Sequence, residues 1–361
     1  MKIYNCHMHI FTIQAVPVGF VPVVTRLAQT RAGNWTIEKL LKMAIPYSSL
    51  DSLHRFAQFV EIGGEKTQES IFQEVRRFYP EGTAFVALTM DMAYMNAGAV
   101  PQSYIMQLDE VANIKRAYGD RILPFICVDA RREGILEIVK HYIEERGFHG
   151  IKLYPPLGFF PYDSRLDPVW EYAQSKQIPV VTHLSKGGVH YRGKIRQSMM
   201  QGCELSAEIL DKLDKPYHAF SHPANYRILA ERFPNLKISF GHCGGDKEWA
   251  SLLLNPPIRT LDKPKNPENW LAYALDLVSE HKQFYADISY TLNDKRFFSL
   301  LKVVLQDAKI RKKILFGSDY YMVRMDTSEK TFSIDLRAFL GESDFKQIAE
   351  TNPKQFLRRK L

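Results

Sequence analysis

KIYNCHMHI (residues 2–10) opens the chain with an apolar run broken by two histidines, His7 and His9, one residue apart. In an extended strand, residues i and i+2 point to the same side, so both imidazoles face one way. Two neutral imidazoles aimed at one point suit a borderline metal such as zinc. A surface strand whose polar positions happen to be histidine is the plainer alternative, and the rest of the chain decides between them.

Seven further β-branched or apolar runs follow: TAFVALTMD (83–91), ILPFICVD (122–129), HGIKLYP (149–155), IPVVTHL (178–184), LKISFGH (236–242), QFYADISY (283–290) and KILFGSD (313–319). Helical patterns lie between them. EGILEIVKHYIEERG places Ile135, Ile138, Val139, Tyr142 and Ile143 at helical spacing and closes on a glycine. DPVWEYAQSK opens with Asp167 as a candidate N-cap and Pro168 at the first helical position. Repeated strand–helix alternation is the pattern of parallel βαβ units, and eight units predict an α/β protein of the (β/α)8 TIM-barrel type. A doubly wound open sheet is disfavoured, because no Gly-x-Gly-x-x-Gly follows the first strand.

The chain, 1–361, reads as a single barrel. Residues 11–82 are too many for one loop and one helix. They hold NWTIEKLLKMA, SLDSLHRFAQFVEIG and TQESIFQEVRRFYP, three helical patterns, and are expected to form a helical cap inserted after the first strand, over the C-terminal mouth.

The hydrophobic fraction of 45% and charged fraction of 24% fit a globular enzyme and exclude disorder. The net charge of +8 raises the question of nucleic acid. The basic residues, however, are scattered among acids, with no basic run or RNA-binding signature, so no nucleic-acid partner is expected. The densest basic stretch, SKGGVHYRGKIR with Lys186, Arg192, Lys194 and Arg196, could attract an anionic small substrate. No apolar run has the length of a membrane span, and no signal peptide is apparent. Cys6, Cys127, Cys203 and Cys243 form no Cys-x-x-Cys pair and read as reduced thiols of a cytoplasmic protein.

The strand ends carry the chemistry. His7 and His9 lie on the first, Lys152 on the fourth, His183 at the end of the fifth, His242 of the sixth and Asp319 of the eighth. Each is an ionisable group after a run that should be buried, and such groups are rarely buried without partners. Barrel strand ends converge at one mouth, so together they form a cluster with metal-ligand chemistry. His218 and His222 are four apart, but Pro223 disfavours a helical conformation at His222 and with it a helical metal pair. Tyr154, Arg192 and Arg324 follow strand ends and are candidates for binding a substrate carboxylate. Asp287 reads as a buried strand acid bonded to neighbouring backbone.

The set NCHMHIF, GFHGIKLYPPLGFFP, VVTHLSKGG, HPANYRILAERFPNLKISFGHCGG, YADISY, LFGSDYYM and TNPKQFL resembles the amidohydrolase superfamily. It is closest in kind to the amidohydrolase-2 branch, which includes metal hydrolases and non-oxidative decarboxylases similar to aminocarboxymuconate-semialdehyde decarboxylase. The resemblance spans essentially the whole chain. It implies His7 and His9 as the first-strand ligand pair, His183 as the fifth-strand ligand and Asp319 as ligand and general base. It implies His242 as a second-metal ligand or a substrate-polarising group. Lys152 is then either a cation paired with a carboxylate or substrate, or a carbamate bridging two metals.

The expected cofactor is a divalent metal, zinc first, one or two per chain, lowering the pKa of bound water towards 7. The expected activity is hydrolysis of a small, anionic amide, lactone or ester, with non-oxidative decarboxylation or hydration of a small carboxylic acid as the alternative. A non-catalytic metabolite-binding barrel is the weaker third reading. A homodimer is the assembly the resemblance suggests.

Overall fold

The computed structural model describes residues 1–20, 67–254, 269–320 and 328–358. Eight parallel strands run in chain order around one sheet: β1 Tyr4–His9, β2 Ala84–Leu88, β3 Ile122–Val128, β4 Gly150–Leu153, β5 Val180–Ser185, β6 Ile238–Gly244, β7 Phe284–Asp287 and β8 Ile314–Leu315. The ring closes where Cys6 N donates to Phe316 O (2.8 Å) and Asp319 N donates to His7 O (2.7 Å). This is the TIM-type barrel that the alternation predicts.

Helices cover the outside: α1 Gln68–Arg76, α2 Tyr104–Tyr118, α3 Ile135–Glu144, α4 Asp167–Lys176, α5 Asn225–Arg232, α6 Asp246–Leu254, α7 Trp270–Glu280, α8 Phe298–Val304 and α9 Glu329–Leu340. Local signals start several of them. Thr67, Ser103, Asn269 and Ser328 each accept a backbone N–H of the first turn they precede, satisfying donors that the helix leaves free. Asp167 does not cap α4 as expected. It is the first helical residue, and its carboxylate pairs with Arg232 of α5 instead. No described helix is long and apolar enough to cross a membrane.

The strands are buried on both faces, which is why they read as continuous apolar runs. Ala84, Val86 and Leu88 alternate along β2 and pack with Leu123, Phe125, Val181, Tyr285 and Leu315 inside the barrel. Phe356 and Leu357 join that group from the C-terminal segment. His149, just before β4, meets Leu357 O at 2.7 Å, and Lys237, just before β6, donates to Phe356 O at 3.0 Å. The C-terminal segment therefore closes the mouth where strands begin, and the opposite mouth, where strands end, is left for chemistry.

Of the expected cap at 11–82, residues 21–66 lie outside the described ones, and with them two of its three helical patterns. The third forms α1, which stacks Phe72 edge-on against Phe85 of β2 (5.8 Å), in the outer ring of helices.

Candidate metal and active site

The β1–β2 register shifts between Asn5 and Met8. Cys6 packs with the lumen residues below this bulge, while His7 and His9 face the lumen above it. A bulge re-aims side chains in this way without ending the strand. The two imidazoles thus sit at the mouth where the strands end, beside Lys152 of β4, His183 of β5, His242 of β6 and, just beyond β8, Asp319. Each of the six is buried.

Every histidine commits one ring nitrogen and leaves the other available. His7 Nδ1 lies 2.9 Å from Asp287 Oδ2, and His9 Nδ1 lies 3.0 Å from Leu88 O. His242 Nδ1 lies 3.2 Å from Ser289 O, and His183 Nε2 lies 2.9 Å from Gly187 O. Carbonyls and carboxylates only accept, so these nitrogens carry the proton. The opposite nitrogen keeps its lone pair, as metal-ligating imidazoles require. Burial lowers the proton affinity of all four rings, that of His242 to about 3, so they are neutral at ordinary pH.

The ligand atoms of His7, His242 and Asp319 lie within 4.8 Å of one another. His9 and His183 flank this trio, with ring centroids 5.7 Å from His7 and 4.8 Å from His242. His7 Nε2, Asp319 Oδ1 and Lys152 Nζ are buried polar atoms with no hydrogen-bond partner. Native interiors rarely leave such atoms unmatched unless a ligand or ion completes them. Neutral imidazoles with one carboxylate suit a divalent cation, so these residues fit the metal that the sequence leads one to expect.

Burial raises the Asp319 carboxyl, Lys152 opposes that rise, and Asp287 and Glu329 add to it. Burial pushes the Lys152 ammonium down, against the pull of Asp287 and Asp319. The backbone is strained in the same place: His242 (φ +66°), Cys243 (φ +42°) and Asp319 (φ +58°) occupy the left-handed region. Such conformations cost energy and cluster at functional sites. Two glycines make room for His7. A Cβ on Gly241 would stand 2.8 Å from His7 Cε1, and one on Gly317 would stand 2.8 Å from His7 Cβ.

Asp287 does more than the backbone bonding read from the sequence. Oδ1 accepts from the amides of His242 and Ser289, both at 3.1 Å, and from the Ser289 hydroxyl, while Oδ2 orients His7. Its position on β7 above a buried run was the available signal.

The substrate-binding candidates fare differently. Tyr154 is buried and stacks on His183 (4.4 Å, 27°), which places it in the site wall. Arg192 is exposed and lies over Phe20 at 5.0 Å, not against the histidine cluster. Arg324 lies outside the described residues. His218 and His222 are buried but do not group as ligands among the described residues. His218 Nε2 faces Lys186 O at 3.2 Å, and His222 accepts from Ala224 N at 3.1 Å. A cleft of about 390 Å³ outside the β4 and β5 loops, lined by Arg131, Arg165, Arg196, Phe159 and Tyr191 among others, shares no residue with the ligand cluster. It is not the chemical centre: Arg131 and Arg165 are already forked onto Asp129 and Asp163.

A barrel that gathers imidazoles and an aspartate at the ends of its strands defines a class of metal-site α/β enzymes. The amidohydrolase-2 family model, described as amidohydrolase, matches residues 5–359, and the chain belongs to that family of metal-dependent enzymes. Solved structures share the fold at low identity. An uncharacterised TIM-barrel protein from Bordetella bronchiseptica has a TM-score of 0.56 at 14% identity, covering 99% of this chain and 98% of that one. A 5-carboxyvanillate decarboxylase from Novosphingobium aromaticivorans, complexed with manganese and 4-hydroxy-3-methoxy-5-nitrobenzoic acid, scores 0.56 at 14% identity over 99% and 96%. A 4-oxalomesaconate hydratase from Rhodopseudomonas palustris scores 0.52 at 15% identity over 99% and 95%. No curated protein sequence matches the chain.

Proposed function

We propose that this protein is a metal-dependent, non-oxidative decarboxylase of a small carboxylic acid, and that His7, His9, His183, His242 and Asp319 hold its cation. The observation that carries the reading is the charge of the enclosed site. Lys152 is wholly buried with its Nζ unpartnered, among neutral imidazoles and two carboxylates, Asp287 and Asp319. With both carboxylates ionised, a divalent cation leaves the site about one unit positive, and an uncompensated charge in a dry cavity is costly. An anionic substrate removes that cost. The neighbours in the fold include an enzyme of this kind, a decarboxylase with manganese and a benzoic acid bound. The nitrogen-rich donor set here favours zinc over manganese.

When bound, the cation supplies Lewis acidity that polarises substrate oxygens. Lys152 pairs with an anionic oxygen of the substrate. His242 offers its Nε2 lone pair to the cation, its Nδ1 proton being committed to Ser289 O. Tyr154 walls the site and excludes water. The bond from the substrate carbon to its carboxylate breaks, carbon dioxide leaves, and the electron pair stays on that carbon. Asp319, whose proton affinity burial raises, takes a proton from solvent water and passes it to that carbon in place of the carboxylate.

Hydrolysis of an anionic amide, lactone or ester is the second reading, and Lys152 is the observation that favours it. Burial promotes the neutral amine, which carbon dioxide can convert to a carbamate able to bridge a second cation. Zinc-loaded protein incubated with aromatic and aliphatic carboxylic acids, amides and lactones separates the two. Carbon dioxide release supports the first reading. A new acid group without carbon dioxide overturns it in favour of the second.

A further inference from the structure

Glu329 is the first residue of α9, only 2% exposed, and no cation pairs with it among the described residues. An acid suits the first turn of a helix, but nothing in that preference asks for its burial. Its bonds lead instead towards the metal site. Tyr79 donates its hydroxyl to Glu329 Oε1 at 2.5 Å. Asn5 Nδ2 donates to Tyr79 Oη at 3.1 Å and to Ser318 Oγ at 2.8 Å. Asn5 Oδ1 accepts from Ser318 N at 3.0 Å and from His7 N at 3.3 Å. The Asn5 amide thereby ties β1 to Tyr79 and to the segment just beyond β8. His7 follows on β1 and Asp319 on that segment, and Asp319 N returns to His7 O at 2.7 Å.

We propose that Glu329, through Tyr79 and Asn5, is a positioning residue that fixes the β1–β8 seam and so sets His7 and Asp319 for the cation. The proposal rests on the metal-site reading above for its function, but its geometry stands without it. Asp319 holds a left-handed backbone (φ +58°), uncommon for a residue with a Cβ although aspartate tolerates it better than most. That conformation persists only where the surroundings over-determine it, and the seam bonds are what over-determine it here. Tyr79 is itself locked, edge-on to Phe85 at 5.2 Å and near Phe316 at 6.3 Å, so its hydroxyl is a fixed donor. A partner that orients ligands in this way typically changes metal affinity by about 10–100-fold.

The test compares the full-length chain with Tyr79→Phe, Glu329→Leu and the conservative Glu329→Gln, whose amide oxygen can still accept from Tyr79. Two quantities are measured: zinc affinity by chelator competition, and hydrogen–deuterium exchange of the metal-free protein. The proposal expects faster exchange at 5–9 and 316–320 in Tyr79→Phe and Glu329→Leu, with β3 unchanged. It also expects zinc affinity about tenfold or more weaker in both, and near-normal behaviour in Glu329→Gln. Seam exchange that rises in a chain whose wild type takes up no zinc would support the positioning role and sink the metal reading alone. Unchanged seam exchange overturns the proposal. So does a rise spread evenly over all strands, since that marks a general loss of stability.

Discussion

Replacing Asp287 with asparagine tests whether a single carboxylate sets the tautomer of His7. Asp287 Oδ1 accepts three donors, the amides of His242 and Ser289 and the Ser289 hydroxyl, whereas Oδ2 meets only His7 Nδ1. An asparagine keeps its oxygen where the three donors converge and turns its NH2 towards His7. A donor then faces Nδ1, so Nδ1 must accept and the ring proton moves to Nε2. Nε2 is the buried, unpartnered atom of the proposed cation site, and its lone pair is lost. Loss of an outer partner costs about 10–100-fold in metal affinity, which is about 1.4–2.7 kcal/mol.

The assay is zinc titration against a competing chelator at fixed pH, alongside the thermal midpoint of the metal-free protein. The metal-free variant is expected to fold, because the asparagine preserves volume and the bonds at Oδ1. Affinity within about twofold of wild type, in a folded Asp287→Asn, would refute the tautomer argument.

Asp319→Asn removes the proposed proton carrier and is expected to cost about 10²–10⁴-fold in turnover even with metal bound, as rate and metal content measured on one sample will tell. Lys152→Met removes a buried cation without a hydrogen-bond partner, and turnover is expected to be lost. Its metal content decides the number of cations: one per chain in both proteins fits the single-cation reading, and a second in wild type alone, on supply of bicarbonate, fits the bridging one. Gly241→Ala puts a Cβ 2.8 Å from His7 Cε1 and 2.8 Å from Thr182 O, and is expected to weaken zinc binding by about tenfold or more, read by the same titration. Burial lowers His222 from 6.5 to about 4, so the unfolded chain binds a proton between those values and the native chain does not. Stability is therefore full above pH 6.5 and falls as pH drops towards 4, by about 3 kcal/mol at most for this group. His222→Asn, which can still accept from Ala224 N, should flatten that acid slope in denaturant melts.

The division between what the sequence disclosed and what it hid follows from how each contact is encoded. A strand buried on both faces is written as an apolar run, and an ionisable residue at its end is conspicuous because burial penalises it. His7, His9, Lys152, His183, His242 and Asp319 could therefore be found without coordinates. Asp287 was equally conspicuous, yet its bond to His7 joins residues 280 apart across the lumen, and no local pattern records which buried acid faces which imidazole. The same holds more strongly for Asn5, Tyr79 and Glu329. Each has an ordinary local reading, a strand residue, a helix-end aromatic and a helix-start acid, and only barrel closure brings them together. Arg192 shows the same limit: a basic residue after a strand is easy to pick out in sequence, but no local pattern records that its guanidinium lies over Phe20.

That asymmetry explains why the reaction is harder to read than the site. The residues that hold a cation must be buried donors on rigid strands, so the fold constrains their type and spacing. The residues that choose a substrate need only reach the mouth from loops, where almost any polar side chain is tolerated. For this chain the rigid part still limits the answer. Lys152 cannot leave β4, and its Nζ lies buried beside Asp319 with nothing to donate to. Any substrate that enters must therefore satisfy a fixed ammonium as well as the cation, and a carboxylate does both. Neutral amides and lactones satisfy only one. A substrate series in which turnover tracks the presence of a carboxylate in wild type, and loses that dependence in Lys152→Met, is the expected outcome. Equal turnover of charged and neutral substrates by the wild type would show that Lys152 answers to an internal carboxylate, and the anionic-substrate argument would fall with it.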